Sequence, residues 1–165
     1  NGTPMHVAGE LLKMRAGVFV THIPYRGAAP ALVDVMGGQV DLAVATLSAA
    51  LPHIRSGKVK AYAVTSAAPT ELAPEIPALG QVPGLEGFDV GSWFGLFVPA
   101  ATPADVAQKL EAAALQVMAD PTVRRKFADQ GLMVNAASAD ALRRFMEAEV
   151  QKYAAIVKAA KITAE

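Results

Sequence analysis

Apolar positions along the chain change their period in a repeating order. From about Pro4 to Ala16, Val7, Leu11 and Met14 recur at spacings of four and three, which is one face of a helix. Thr3 is placed to cap it, Pro4 suits its first position and Gly17 stops it. Val18 to Pro24 then reads as a strand. A second helix follows Gly27 and runs to about Met36, with Pro30 in its first turn and Gly37-Gly38 stopping it. Val40 to Ala45 is a buried, mostly apolar strand. Ser48 is placed to cap a short helix through Ile54, stopped by Gly57, and Val59 to Thr65 is the next strand. This βαβαβ order predicts parallel pairing with right-handed crossovers and helices on both faces of the sheet.

The punctuation changes from Ala67 to Gly87. Prolines 69, 74, 77 and 83 and glycines 80, 84 and 87 make a connector with room for one short helical turn. Phe88 to Val98, FDVGSWFGLFV, is the longest strand-like run and holds the single Trp. Thr102-Pro103-Ala104-Asp105 reads as a helix start of capping-box type, with Asp replacing Glu at the third helical position. That helix runs to about Ala119. Asp120-Pro121 opens another that ends at Gly131, Leu132 to Asn135 is a short strand, and a final helix covers about Ala139 to Ala160.

Composition narrows the class. The 165 residues are 53% hydrophobic and 18% charged, a core-forming profile. A net charge of zero removes the electrostatic case for nucleic acid or an anionic membrane surface. The absence of cysteine excludes disulfides, thiolate catalysis and Cys-based zinc sites. No apolar run approaches the roughly 20 residues that span a bilayer. The first residues, NGTPMHVAGELLK, have neither the basic nor the apolar region of a signal peptide and read as the interior of a domain.

The chemistry concentrates at helix starts that carry no acidic side chain. Three segments form candidate anion sockets: Asn1-Gly2-Thr3-Pro4, Tyr25-Arg26-Gly27-Ala28 and Thr46-Leu47-Ser48. First-turn N–H groups and the helix dipole favour negative charge there, and in open α/β sheets ligands bind beyond the carboxyl ends of the strands. Gly2 and Gly27 allow close backbone approach, while Thr3, Thr46 and Ser48 add hydroxyls. The same residue types also concentrate in ordinary caps and turns, so that reading stands beside the first. Arg26 is placed either to pair a carboxylate bidentately or as a solvated turn residue. Tyr25 either walls a cleft or fills a core. His6 lies one turn into the first helix and lines the cleft on the binding reading. His22 and His53 read as structural or surface residues, because histidines 6, 22 and 53 match no metal-ligand spacing. Glu10 reads as a helix-surface charge, and Trp93 as core or interface packing more than a ligand platform. No GxSxG, HExxH or phosphate-loop motif is present, and no cofactor is expected. The reading is of a binding protein and not an enzyme.

Several motifs in fixed order carry a resemblance: NGTPxHxAGELxK, HIPYRGAAPALxDxxGGQVD, LPHIxSGKVKAxAVTS, SWFGLFVPAxTPxxVxxKL and ADPxVRRKFAxQG. Together they resemble the Bug family, the extracytoplasmic solute receptors of tripartite tricarboxylate transporters, over nearly the whole chain. The resemblance implies a type II periplasmic binding protein fold: two α/β lobes that close on a small carboxylate, a periplasmic location, and membrane transporter subunits as partners. Members of that family are close to twice this length and begin with a half that contains a glycine-rich ligand loop. Residues 1–90 then correspond to the second lobe, with its parallel-rich sheet. Residues 88–98 correspond to the interlobe crossover, and 99–165 to the C-terminal helical segment that returns to the first lobe. The chain departs from the family at VATLS, Val44 to Ser48, where Thr46 and Ser48 supply hydroxyls in place of an Asp or Asn beside an aromatic residue. Two readings follow: a carboxylate receptor lacking its first half, or a structural or interaction module that keeps the fold without binding.

Apolar faces on the last helices bear on assembly. Val106, Leu110 and Val117 line one helix, and Leu142, Phe145 and Tyr153 another. With the family's first half absent these faces need a cover, and a homodimer supplies one, with exchange through a hinge at Gly87–Gly95 as a low-cost route.

Overall fold

A computed structural model describes residues 2–162. Among the described residues six α-helices follow one another: α1 Pro4–Ala16, α2 Ala28–Met36, α3 Leu47–Arg55, α4 Ala104–Ala119, α5 Pro121–Asp129 and α6 Ala139–Ala159. A 3-10 turn, Leu79–Gln81, lies between α3 and α4. The chain up to Ser92, with the stretch from Ala155 onward, forms one compact unit, and Trp93–Ala154 forms a second.

Local chemistry explains most helix boundaries. The Thr3 hydroxyl accepts from the His6 N–H at 3.3 Å, Pro4 occupies the first turn, and Gly17 closes α1 in the left-handed region at φ 64°. Asp120 caps α5, its Oδ1 accepting from the N–H groups of Thr122 at 2.7 Å and Val123 at 3.3 Å. Those two bonds hold its carboxyl below the usual carboxylate range. Two expected caps are corrected. α3 begins after Thr46, not at Ser48; Ser48 is the second helical residue, and its hydroxyl donates to Thr46 Oγ1 at 3.2 Å. α4 begins after Pro103, whose extended backbone (ψ 140°) leaves Thr102 outside the helix, so the capping box does not form.

In the first unit Leu51, Ala73 and Ile76 form a buried cluster, packed by Leu47, Ile54, Ala61 and Val64. The α1 face is buried at Val7, Ala8 and Leu11, whereas Met14, expected on that face, is exposed. Phe88 and Val90, the start of the long apolar run, are the largest fully buried side chains. Residues 64 and 65 tie this core together. Val64 donates to Pro77 O and accepts from the Leu79 N–H, and Thr65 O accepts from Val90, all at 2.8–2.9 Å.

The parallel sheet expected from Val18–Pro24, Val40–Ala45 and Val59–Thr65 is not formed as a ladder. Among the described residues, the parallel Val64–Ala78 pair is the only isolated bridge, and no named strand is present. These segments lie outside helices, and several of their apolar side chains face solvent, Phe19 at 90% exposure and Tyr62 at 75%. A strand pattern in sequence specifies a pleated surface that suits burial; ladder bonds need a neighbouring strand in register.

In the second unit Trp93 sets its ring edge-on to Phe145, with centroids 5.4 Å apart. It remains partly exposed and does not fill a core. Arg124 on α5 donates to Met118 O at 3.1 Å and Val134 O at 3.0 Å, joining the end of α4 to the segment after α5. On α6, Glu149 is buried and paired with Lys152.

Gly80 offers a test of packing in the connector. A Cβ there would lie 2.8 Å from Phe88 O and 3.0 Å from both Ala67 Cα and Ala67 O, all backbone atoms that cannot swing away. Gly80→Ala is expected to cost about 1–3 kcal/mol of stability, measured by chemical denaturation. An unchanged midpoint would show that residues 67 and 88 are not held where the connector places them.

Candidate functional site

The candidate sockets are defined by what is missing at the helix starts. Neither α2 nor α3 has an acidic residue in its first turn, and neither receives a side-chain cap bond. The Thr46 carbonyl accepts from Ala49 and Ala50, both at 3.1 Å, which leaves the N–H groups of Leu47 and Ser48 to outside acceptors. At α2, Gly27 takes φ 107°, a conformation that L side chains rarely adopt, and no atom lies within 4 Å of where its Cβ would be. The first N–H groups of α2 are therefore approachable. α1 also lacks an acidic first turn, but its Thr3 hydroxyl is engaged as a cap.

The structure brings some of the expected residues together. α2 packs against α3. Thr46 and Ser48 share a hydrogen bond and are half-buried. Gly2 donates its N–H to His6 Nδ1 at 3.1 Å. The first socket meets the segment that leads into the second because the His6 and His22 rings stack, centroids 4.2 Å apart and 13° from parallel. Tyr25 is committed elsewhere than expected: its hydroxyl donates to Asp34 Oδ2 at 2.6 Å. That bond to the carboxylate favours the protonated phenol and raises its pKa. Arg26 is exposed and forms no ion pair among the described residues. Ala28 and Leu47 serve as the first residues of their helices. Asn1 lies outside the described residues.

Three partners escaped the sequence reading. Asp34 lies nine residues from Tyr25, and nothing in local spacing announces the pairing. His22 was read as structural or surface and Glu10 as a surface charge, yet His6, Glu10 and His22 each bring a ligand atom within 4.8 Å of the others. His6 Nε2 stands 3.9 Å from Glu10 Oε1, and both Glu10 oxygens accept from Lys13 Nζ, at 2.8 and 2.9 Å. The detectable signal was the i, i+4 spacing of His6 and Glu10, which puts both on one helix face. Burial lowers the His6 pKa, and the neighbouring His22 lowers it further against the opposing pull of Glu10.

The likeness to known proteins covers the same stretch. Residues 1–162 match the family model described as tripartite tricarboxylate transporter family receptor. A UPF0065 protein from the clcB-clcD intergenic region of Pseudomonas knackmussii is 35% identical over 156 residues, 94% of this chain and 92% of that protein. Among solved structures, Rpa4515 of R. palustris with adipate superposes with a TM-score of 0.87 at 28% identity, covering 98% of this chain and 54% of the other. MatC of Rhodopseudomonas palustris with bound malate has a TM-score of 0.76 at 31% identity, covering 93% and 53%. The chain spans about half the length of most of the curated relatives it matches. No helix among the described residues is long and apolar enough to cross a membrane. Over nearly its whole described length, this chain belongs to the tripartite tricarboxylate transporter receptor family.

Proposed function

We propose that this chain is the ligand-recognising part of a periplasmic receptor that binds a small carboxylate for tripartite tricarboxylate-type transport. One observation carries the reading: α2 and α3, neighbours in one unit, both start without an acidic residue and without a side-chain cap. Backbone N–H groups and the helix dipole at each start then favour a small anion. Related proteins with adipate and with malate support a dicarboxylate as the class. Contacts are assigned to Gly2, Thr3, Gly27, Ala28, Thr46, Leu47 and Ser48, with Asn1 as a further donor. His6 and Arg26 flank them, and Tyr25 acts as a wall tethered by Asp34. The family supports a sheet behind these sockets, residues 1–90 as one lobe, 88–98 as the interlobe crossover and 99–165 as the returning segment. Its members are receptors, which supports binding and transport over catalysis, with membrane transporter subunits as the partners of the whole protein.

Adipate and malate are the probes. Weak binding is expected for this chain alone, because a receptor that encloses its ligand draws on both lobes. Gly27→Asp places a negative charge in the α2 socket and should abolish binding by calorimetry. Gly27→Ala, which imposes the same backbone strain without the charge, should retain part of it. Equal affinity of Gly27→Asp and the parent chain would remove the sockets from the site. Failure of every carboxylate to bind would favour the structural or interaction module.

The uncovered apolar surface supports a homodimer. Phe94 is 84% exposed, and Leu96, Phe97, Val106, Leu110, Val117 and Phe145 are also exposed in the second unit. Soluble monomers seldom carry such patches. Light scattering at micromolar concentration should give twice the 17.1 kDa chain mass. A mass of one chain would overturn this assignment, and with it any exchange through Gly87–Gly95.

A further inference from the structure

Glu10 and His22 have no role in the carboxylate reading, and the donor set they complete with His6 has a chemistry of its own. Two imidazoles and one carboxylate converge from two segments distant in sequence, the α1 face and the stretch before Tyr25. We propose that these three side chains form a binding site for a divalent transition metal of the Zn²⁺ class, with its remaining coordination positions open to water or an anion.

The donors suit that class. Imidazole nitrogen with one carboxylate oxygen fits borderline ions such as Zn²⁺, Ni²⁺ and Cu²⁺, whereas Mg²⁺ and Ca²⁺ require mostly oxygen ligands. A tetrahedral ion with metal–ligand distances of about 2.0–2.2 Å holds its donors roughly 3.3 Å apart. Donor atoms that now lie within 4.8 Å of one another close by about 1.5 Å at most to reach that spacing. His22 is exposed, and its ring turns out of the stack to converge with His6 without disturbing the core. His6 and Glu10 sit one turn apart on α1 and are half-buried, so their separation is set by the helix. Two existing contacts are exchanged on binding. The His6 Nδ1 bond from Gly2 is solvent-exposed, and water replaces it when the proton moves to Nδ1 and frees Nε2. Lys13 gives up one Glu10 oxygen and keeps the other.

The test uses the full chain with ZnCl₂ or MgCl₂ alone and no carboxylate, so its result is independent of the proposed receptor role. Calorimetry should show one Zn²⁺ site per chain, with a raised Tm, and no response to Mg²⁺. His22→Ala, at an exposed position, should lower Zn²⁺ affinity roughly tenfold or more, as should Glu10→Gln. His53→Ala, outside the cluster, should leave it unchanged, and circular dichroism of each variant should match the parent. Zn²⁺ affinity unaltered in both His22→Ala and Glu10→Gln, or lost equally in His53→Ala, would overturn the site.

Discussion

Backbone N–H groups that their own helices cannot satisfy are the constraint around which the first unit is organised. Every α-helix leaves its first four donors without an internal acceptor. α5 solves this with Asp120, which takes two of those bonds and brings a negative charge of its own to the positive end of the helix. α2 and α3 do not solve it. Gly27 has no side chain to offer, and the Thr46 hydroxyl accepts from Ser48 instead of from the backbone. The difference between α5 and the pair α2/α3 is therefore the difference between a helix closed by its own sequence and two that remain open to an external anion.

The electrostatics around these openings keep them uncompensated. Asp34, the one acidic side chain on α2, lies toward its far end and is engaged by the Tyr25 hydroxyl. Glu10, on α1, is engaged by Lys13. Burial and, after it, the neighbouring His22 lower the His6 pKa, which disfavours an imidazolium at the first socket. What these helix starts offer is directional backbone donation with the helix dipoles, and not a cluster of charged side chains. That arrangement agrees with a chain whose net charge is zero and with recognition by geometry more than by long-range steering.

Much of the helical framework was legible because its signals are local. Thr3 and Pro4, Gly17, Asp120 and Pro121 each act within one turn, and each marks the boundary it was read to mark. The caps at Ser48 and Thr102 were misread for one physical reason. A hydroxyl near a helix start matches the capping pattern, but the cap belongs to the last extended residue, which is Thr46 in one case and Pro103 in the other. Met14 fits the helical period of Val7 and Leu11 yet stays exposed, because the buried stripe on α1 ends before its last turn. Pairings across the chain were not legible. Tyr25 with Asp34, and His6 with His22, depend on how α1, α2 and the segment between them come together, and single-sequence periodicity carries no record of that. The strand-like runs form no ladder among the described residues for a related reason: alternation reports suitability for a sheet, while the ladder depends on a neighbour.

The stretch through residues 64–65 shows how far one local pairing can substitute for a sheet. Val64 and Thr65 bond to the connector at residues 77–79 on one side and to Val90 on the other, so three sequence-distant segments meet there. Gly80 sits against the same junction, where a Cβ would lie 2.8–3.0 Å from backbone atoms of residues 67 and 88. Phe88 and Val90 enter the core directly behind it. The Leu51–Ala73–Ile76 cluster packs Val64 from the α3 side. The position of α3, and with it the Thr46–Ser48 opening, thus rests on a hydrogen-bonded junction that the proline- and glycine-rich connector builds, in a segment whose composition alone suggests only a linker.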